Sequence, residues 1–276
     1  MKKNLQNSIL FPSRFLGLNQ ACKEQIALEQ RFTTNKFQNQ GDGKLRWNVN
    51  HQGTDMEMTI EQIVGFYLSR LRKFYENAQI FTKDVVISIP SYASNVERQS
   101  LLDASEVAGF KCLRIINEST AICLNYGFFR KGDLDEKQAR TVAFVDFGHS
   151  KTTVTIASFV KAKCKIICHH SDRNLGARDL DYQVMEKLGE EFKTKYGSDP
   201  RKSDRSRIRM LEAIEKARCM LSAVPDAVIN IEYLVEDQDL NRLLKREEFQ
   251  NLCDPITRRF HDLLKEAIAI SGLQPD

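Results

Sequence analysis

No apolar run in this 276-residue chain approaches the roughly 18 residues that a membrane-crossing helix needs, so the sequence predicts no helical span. The first fifteen residues, MKKNLQNSILFPSRF, carry two lysines but no continuous apolar core of the signal-peptide kind. A basic block is missing as well. Lys and Arg number 41 against 37 Asp and Glu, a net charge of +4 spread along the chain. That gives no reason to expect nucleic acid as a partner, whose binding leaves a clustered basic footprint, and nothing points to a membrane. The seven cysteines are odd in number and lack the spacing of a disulfide framework, which suits a reducing cytosol. Internal repeats and low-complexity linkers are absent too. What is present is an ordinary globular composition, 42% hydrophobic and 28% charged, enough for a sizeable core and for one large or two medium domains.

The chain is organised around Thr141–Ile156, TVAFVDFGHSKTTVTI. The apolar run Val142–Val145 delivers Asp146 to a tight turn at Phe147-Gly148-His149-Ser150, and a β-branched run from Thr152 to Ile156 leads away. Two buried strands joined by a turn with a carboxylate, a glycine and small polar residues can cradle a phosphate. Gly148 lets backbone N–H groups approach an anion, and Asp146 can face a metal ion or its waters. The same residues describe an ordinary hairpin with a polar tip equally well.

Residues 1–56 are mixed, with an amphipathic stretch around Ile26–Phe32, a polar turn at Gly41-Asp42-Gly43 and a short strand at Trp47-Asn48-Val49. From Met58 the pattern sharpens. Thr59 with Gln62 predicts a capping box for a helix to about Ala78, and Ser94 with Glu97 a second, for a helix stopped by Gly109. The β-branched runs Asp84–Pro90 and Cys112–Ile116 predict buried strands, and a helix is expected from Ser119 to Phe129. Helix–strand–helix–strand–helix–strand–strand is an α/β layered order. Its strands end at Pro90-Ser91, Asn117-Glu118-Ser119-Thr120 and Asp146-Phe147-Gly148, and ligands bind at such ends. Further on, a strand over Cys164–Cys168 precedes helices at Leu180–Phe192 and Ser203–Ala223. A hairpin pairs Val228–Val235 with Leu240–Leu244 through a turn at Glu236–Asp239, and Asp254-Pro255 reads as the N-cap and first residue of a final helix ending at Gly272.

Other chemistry has ordinary alternatives. Cys164, Cys168, His169 and His170 alternate as a strand does and lack a second ligand pair, which favours core and surface roles over a metal site. Asp146-Phe147-Gly148 spells the kinase metal-binding tripeptide, but no glycine-rich loop, V-A-I-K or H-R-D accompanies it. The basic helix Arg201–Arg218 reads as a solvated face. His149 is either a phosphate donor or a structural histidine at a strand end. Glu118 is either a catalytic carboxylate or one favoured by a helix N-terminus.

The run VVISIPSYASNVERQSLLDASEVAGFKCLRIINESTAICLNYGF, Val85–Phe128, resembles the first lobe of the ATPase domain of the heat shock protein 70 superfamily. VAFVDFGHS, NLGARDLD, IEKARCMLS and INIEYL then follow in that family's order. Within the superfamily the chain is more similar to the heat shock protein 110 branch. Ile89-Pro90-Ser91-Tyr92, Asn117-Glu118-Ser119-Thr120 without a proline, and Asp146-Phe147-Gly148-His149-Ser150 in place of D-x-G-G-G-T carry that similarity.

The resemblance implies an α/β, actin-like (ribonuclease H-like) two-lobe ATPase fold, incomplete at both ends, with a first lobe over residues 1–135 and a second over 136–276. It implies ATP or ADP with Mg2+ as cofactor and no metal site made by the protein alone. Glu118 and Asp146 would be the catalytic carboxylates, with Glu118 reaching metal-bound water. Gly148, His149, Ser150 and Lys151 would form the second phosphate loop, and Gly176 and Ala177 would touch the phosphates from the second lobe, Ala177 standing where the family has glycine. Glu215 and Ser222 would contact ribose and base, and Arg218 would keep a positive charge beside them, whereas Cys219 replaces a basic residue that packs on adenine. Ser13 stands at the catalytic lysine's place, with Arg14 beside it, and Thr153 stands where a second aspartate is usual. The first phosphate loop and the glycine-rich adenosine loop are not matched, so the chain is expected to be a fragment that binds ATP weakly and hydrolyses it slowly or not at all. The function implied is that of a nucleotide-exchange factor and holdase in protein folding and stress response. Its partners would be a heat shock protein 70 chaperone and unfolded clients, in the cytoplasm with the nucleus as the alternative. An ATP-hydrolysing foldase, or a segment that no longer binds nucleotide, is the other reading.

Overall fold

Both capping boxes form, and they fix where the first long helices begin. The computed structural model describes residues 7–34, 37–38 and 43–274; Asp42 and Gly41 of the expected polar turn lie outside them. Thr59 is the last residue of a strand and the N-cap of helix α2 (Ile60–Asn77). Its hydroxyl accepts from the Gln62 N–H, and the Gln62 side chain accepts from the Thr59 N–H at 2.9 Å. Ser94 and Glu97 repeat the arrangement at the start of α3 (Asn95–Val107), which ends at Gly109 in the left-handed region, φ 74°.

Residue contacts divide the chain into two compact units, between Glu118 and Ser119. In the first, α1 (Lys23–Gln30) precedes a three-stranded antiparallel sheet of β1 (Phe37–Gln38), β2 (Arg46–His51) and β3 (Thr54–Thr59). After α2, strand β4 (Asp84–Ile89), α3 and β5 (Lys111–Asn117) form a parallel β–α–β unit. The core gathers Phe15, Trp47, Ile60, Val64, Ile89 and Leu101, with Trp47 only 1% exposed and set edge-on to Phe15. Burying such side chains stabilises by about 2 kcal/mol each.

The expectation that β4 and β5 are buried on both faces is corrected. Along β4 exposure alternates, with Val86 55% exposed and Ile89 5%, and Leu113 on β5 is 58% exposed. The two strands form a two-stranded sheet with one apolar face on the core and no described layer of this unit over the other. β-branched composition reports strand formation and says little about how many faces are covered.

The second unit begins at the second residue of α4 (Glu118–Phe129), which packs Cys123 and Tyr126 against Ala157 and Phe159. Those contacts place residues 119–135 with the second unit, whose first residue is Ser119. An antiparallel sheet follows in the order β6 (Arg140–Phe147), β7 (Thr152–Val160), β8 (Lys163–Asp172). The central strand β7 is buried from Thr152 to Ala157, whereas β6 alternates and leaves Val145 48% exposed, so only one of the two expected buried strands is buried throughout.

Helices α5 (Ala177–Tyr196) and α6 (Asp204–Leu221) and the hairpin β9 (Asp226–Val235) with β10 (Gln238–Lys245) enclose the largest core, built on Val184, Leu188, Met210, Ile214, Ile229 and Leu244. The hairpin turn is tighter than expected, since Gln238 already pairs with Val235 and Glu236 takes φ 52°. The last helix, α7 (Arg246–Ser271), begins eight residues before Asp254, and Pro255 sits inside it. A proline there cannot donate to the carbonyl of Asn251. Burial of Cys253 and the packing of Phe249 and Leu252 on the core hold the extra turns, and Asp254 pairs with Arg258 at 2.7 Å as an in-helix residue and not as a cap.

Candidate functional site

The turn between β6 and β7 is where the expected phosphate residues meet. Asp146 faces Thr153 and Phe147 faces Thr152 in the ladder, and the Gly148 N–H closes the turn on the Lys151 carbonyl at 2.9 Å. Gly148 does not adopt the left-handed region, and its value is lack of bulk: a Cβ there would lie 3.2 Å from the Lys151 carbonyl oxygen. Gly176 is tighter still. A Cβ on it would sit 2.5 Å from the His149 carbonyl oxygen and 2.6 Å from the Ser150 nitrogen, both backbone atoms.

That close approach seats the turn on the N-terminus of α5. The Ala177 N–H donates to the Gly148 carbonyl at 3.0 Å, and the Arg178 N–H donates to the His149 carbonyl at 2.9 Å. Ahead of them, the Gly176 N–H donates to the Asp179 carboxylate at 2.8 Å. The first N–H groups of this helix, which would otherwise attract an anion, are thus spent on the turn and on its own cap. Burial raises the Asp179 carboxyl above its ordinary value, against the pull of the Gly176 N–H and of Arg178 and Arg259. Underneath, the buried Thr152 hydroxyl donates to the Leu175 carbonyl at 2.7 Å, and Arg259 on α7 holds Asp172 at 2.6 Å.

Among the described residues, no hydrogen bond or ion pair reaches the half-buried Asp146 carboxylate or the Ser150 hydroxyl. The frame of the turn is fixed from three sides while these two oxygen-bearing groups stay available. His149 is exposed and Lys151 half-buried.

The residues expected at the nucleoside end lie on α6. Glu215 and Ser222 are exposed, and the Ser222 hydroxyl donates to the Cys219 carbonyl at 2.6 Å. Arg218 is engaged by the protein. Its Nε and Nη2 bind the two oxygens of Asp181 on α5 at 2.7 and 3.1 Å, and the Asp181 side chain is only 4% exposed. This bidentate pair raises the Arg218 guanidinium still further, while Glu215 stands 3.9 Å from it. Asp181 was not visible as a partner in the sequence, where it lies 37 residues from Arg218. Asp179 was missed as well, although an aspartate three residues after a glycine at a helix start is a local signal for that cap.

Glu118 is the first residue of α4 and closes the first unit. Ser13, at the lysine position of the resemblance, is exposed, and the neighbouring Arg14 binds the buried Glu29 at 2.6 Å. The histidines of β8 are also engaged: His169 Nδ1 lies 3.2 Å from the Thr155 hydroxyl and His170 Nε2 2.9 Å from Glu266. Among the described residues no three His, Cys, Asp or Glu side chains gather as metal ligands would. Along the basic segment, Arg201 is held by Asp199, Glu186 and Glu190, Arg207 by Asp204, and Arg209 by the carbonyls of Glu232 and Tyr233.

A family model described as Hsp70 protein matches residues 1–276, the whole chain. The chain belongs to the Hsp70 family. Its α/β fold is that of the family's actin-like ATPase domain. It is 32% identical to a heat shock protein homolog of Lachancea kluyveri over 276 residues, 99% of this chain and 40% of that protein. With the 97 kDa heat shock protein of Mesocentrotus franciscanus it shares 31% identity over 277 residues, 99% of this chain and 31% of the relative. With heat shock 70 kDa protein 4L of Homo sapiens it shares 35% over 243 residues, 87% and 29% of the two. This Hsp70-family chain therefore spans two fifths or less of these relatives' length. Among the described residues no helix is long and apolar enough to cross a membrane.

Proposed function

We propose that the chain is the nucleotide-binding part of a heat shock protein 110-type co-chaperone, a nucleotide-exchange factor and holdase that works with a heat shock protein 70 partner on unfolded clients in the cytoplasm or nucleus. The observation that carries the reading is the turn at 148–151, locked by its backbone to α5 with the Asp146 carboxylate and Ser150 hydroxyl left uncommitted. A turn fixed before binding spends none of the binding energy on ordering itself.

The donor set fits a magnesium nucleotide. Asp146 would face the metal's waters, and Gly148, His149, Ser150 and Lys151 would surround the phosphates. Gly176 and Ala177 would shape the cradle through its backbone, and Glu215, Arg218 and Ser222 would line the nucleoside end. When bound, the nucleotide supplies the phosphate charge that these groups answer. Glu118 would act from the first of two lobes, proposed over residues 1–135 and 136–276. Nucleotide acts here as a conformational lock. The aspartate that standard members carry after the turn is the buried Thr153, 6% exposed, and a hydroxyl there brings no second negative charge to hold a cation. Arg14 cannot replace the usual lysine while it neutralises Glu29.

Titration with a fluorescent ATP analogue tests this reading. Asp146→Asn and Ser150→Ala are each expected to weaken binding about tenfold, roughly 1.4 kcal/mol, with the melting temperature unchanged. Affinity indifferent to both substitutions would overturn it. Stopped-flow release of ADP from a heat shock protein 70 chaperone, accelerated by the protein at micromolar concentration, tests the exchange role. Steady hydrolysis at a standard chaperone's rate would favour the foldase reading.

A further inference from the structure

Helix α4 and strand β8 each bring one cysteine to the same aromatic ring. Cys123 and Gly127 lie one helical turn apart, so they share a face of α4, and that face packs on Phe159: a Cβ on Gly127 would meet the ring at 3.6 Å, and Cys123 is 1% exposed beside it. Tyr126 leans on the same ring at 4.9 Å between centroids. Across the β7–β8 ladder, the residue directly opposite Phe159 is Cys164. Directly opposed residues of an antiparallel pair project to one face of the sheet, so Cys164 emerges on the side that α4 covers.

From this juxtaposition we infer that Cys123 and Cys164 form a peroxide-responsive dithiol whose oxidation bolts α4 to the sheet that carries the Asp146 turn.

The two sulfurs have unequal tasks. Cys164 is exposed and Cys123 buried. Burial pushes both thiols up, Cys123 to about 11, and each feels the other: the Cys123 S–H favours the Cys164 thiolate, and that thiolate in turn opposes ionisation of Cys123. Cys164 is therefore the sulfur that meets oxidant and ionises first, and Cys123 is the one that resolves. In the first step the Cys164 thiolate attacks a peroxide oxygen. The O–O bond breaks, one water leaves, and Cys164 becomes a sulfenic acid. In the second step the Cys123 sulfur attacks the sulfenic sulfur, the S–S bond forms, and the sulfenic oxygen departs as a second water with the Cys123 proton. Two thiols lose two electrons and one peroxide becomes two waters. A dithiol reductant of the cell reverses the change by thiol–disulfide exchange.

Among the described residues the other five thiols differ in access, Cys22 and Cys112 being half-buried. The remaining buried cysteines, Cys168 and Cys253, are screened from oxidant, Cys253 with its thiol raised to about 12 by burial. Cys219 is exposed on α6.

The test treats the reduced full chain with equimolar hydrogen peroxide, alkylates residual thiols with N-ethylmaleimide in denaturant, and maps the peptides by mass spectrometry. The expected product is a Cys123–Cys164 cross-linked peptide pair, lighter by two hydrogens and restored by dithiothreitol. In Cys123→Ser, which removes the resolving sulfur, Cys164 sulfinic acid should rise several-fold. Wild-type protein in which Cys164 is oxidised while Cys123 stays fully alkylatable would overturn the inference. So would disulfides spread evenly over the seven cysteines. Because the wild-type map decides the matter, it does not depend on how well any variant folds.

Discussion

The Ala177 N–H donates to the Gly148 carbonyl at 3.0 Å, joining the start of a 20-residue helix to a four-residue turn 29 positions earlier. With the neighbouring Arg178-to-His149 bond, it turns two stretches that look like separate ligand contacts into one rigid piece. Four predictions test how that piece and its surroundings are held.

Gly176→Ala should force the turn away from α5, because the new methyl has only backbone atoms within 2.6 Å of it and none can rotate aside. The expected cost is about 2 kcal/mol, within the range for overpacking, and nucleotide affinity should fall at least tenfold. Urea denaturation and the fluorescent ATP titration measure the two. Unchanged stability would mean that the turn is softer than its hydrogen bonds suggest.

Thr152→Val keeps the shape of the side chain and deletes the donor to Leu175. The carbonyl is then buried without that partner, at a cost of about 1–3 kcal/mol. Thr153→Val, at the next position in the same buried strand, serves as the comparison. Equal losses in both variants would show that the Leu175 bond has no special weight.

Asp181→Asn should destabilise by roughly 3 kcal/mol, since it strips the carboxylate from a guanidinium held largely out of water. Adding Arg218→Met should recover part of the loss, giving a coupling energy of 1 kcal/mol or more in a double-mutant cycle, about the range seen for contacting pairs. Additive losses would contradict the bidentate pair.

Acid stability should respond to Asp199. Its carboxyl is held below its ordinary 3.8, first by the hydrogen bond from Arg201, at 2.8 Å. A lowered folded-state value means that the stabilisation is present above pH 3.8 and lost as pH falls through the folded value beneath it. Asp199→Asn should therefore lower the melting temperature above about pH 4 and flatten the melting curve's dependence on pH below that. Melts between pH 2 and 6 check it, and a variant that parallels the wild type throughout would contradict it.

How much of this was legible in the chain depends on how local the cause is. Thr59 with Gln62 and Ser94 with Glu97 act over three residues, and both boxes form as written. The order of helices and strands from Met58 to Val160 was equally open to reading, since each element carries its own period. Pro255 misled because its local preference, a helix start, was overridden by Phe249, Leu252 and Cys253 packing into a distant core. The exposure of Val86 and Leu113 depends on what lies over a sheet, which a strand's composition does not encode. At the site, glycine and aspartate marked the turn. The partners that shape it, Leu175 for Thr152 and Asp181 for Arg218, lie 23 and 37 residues away and carry no local signal.

The β6–β7 turn has its geometry written at Gly148, Thr152 and Gly176, through an approach of backbone to backbone and one buried hydroxyl. The Ser150 hydroxyl rides on that frame with no hydrogen-bond partner among the described residues. A serine can therefore stand where the family pattern D-x-G-G-G-T has glycine without adding a hydrogen bond to the frame. Chemistry and architecture are separable at this point of the chain, so descent can rewrite what the turn offers a ligand without first having to refold it.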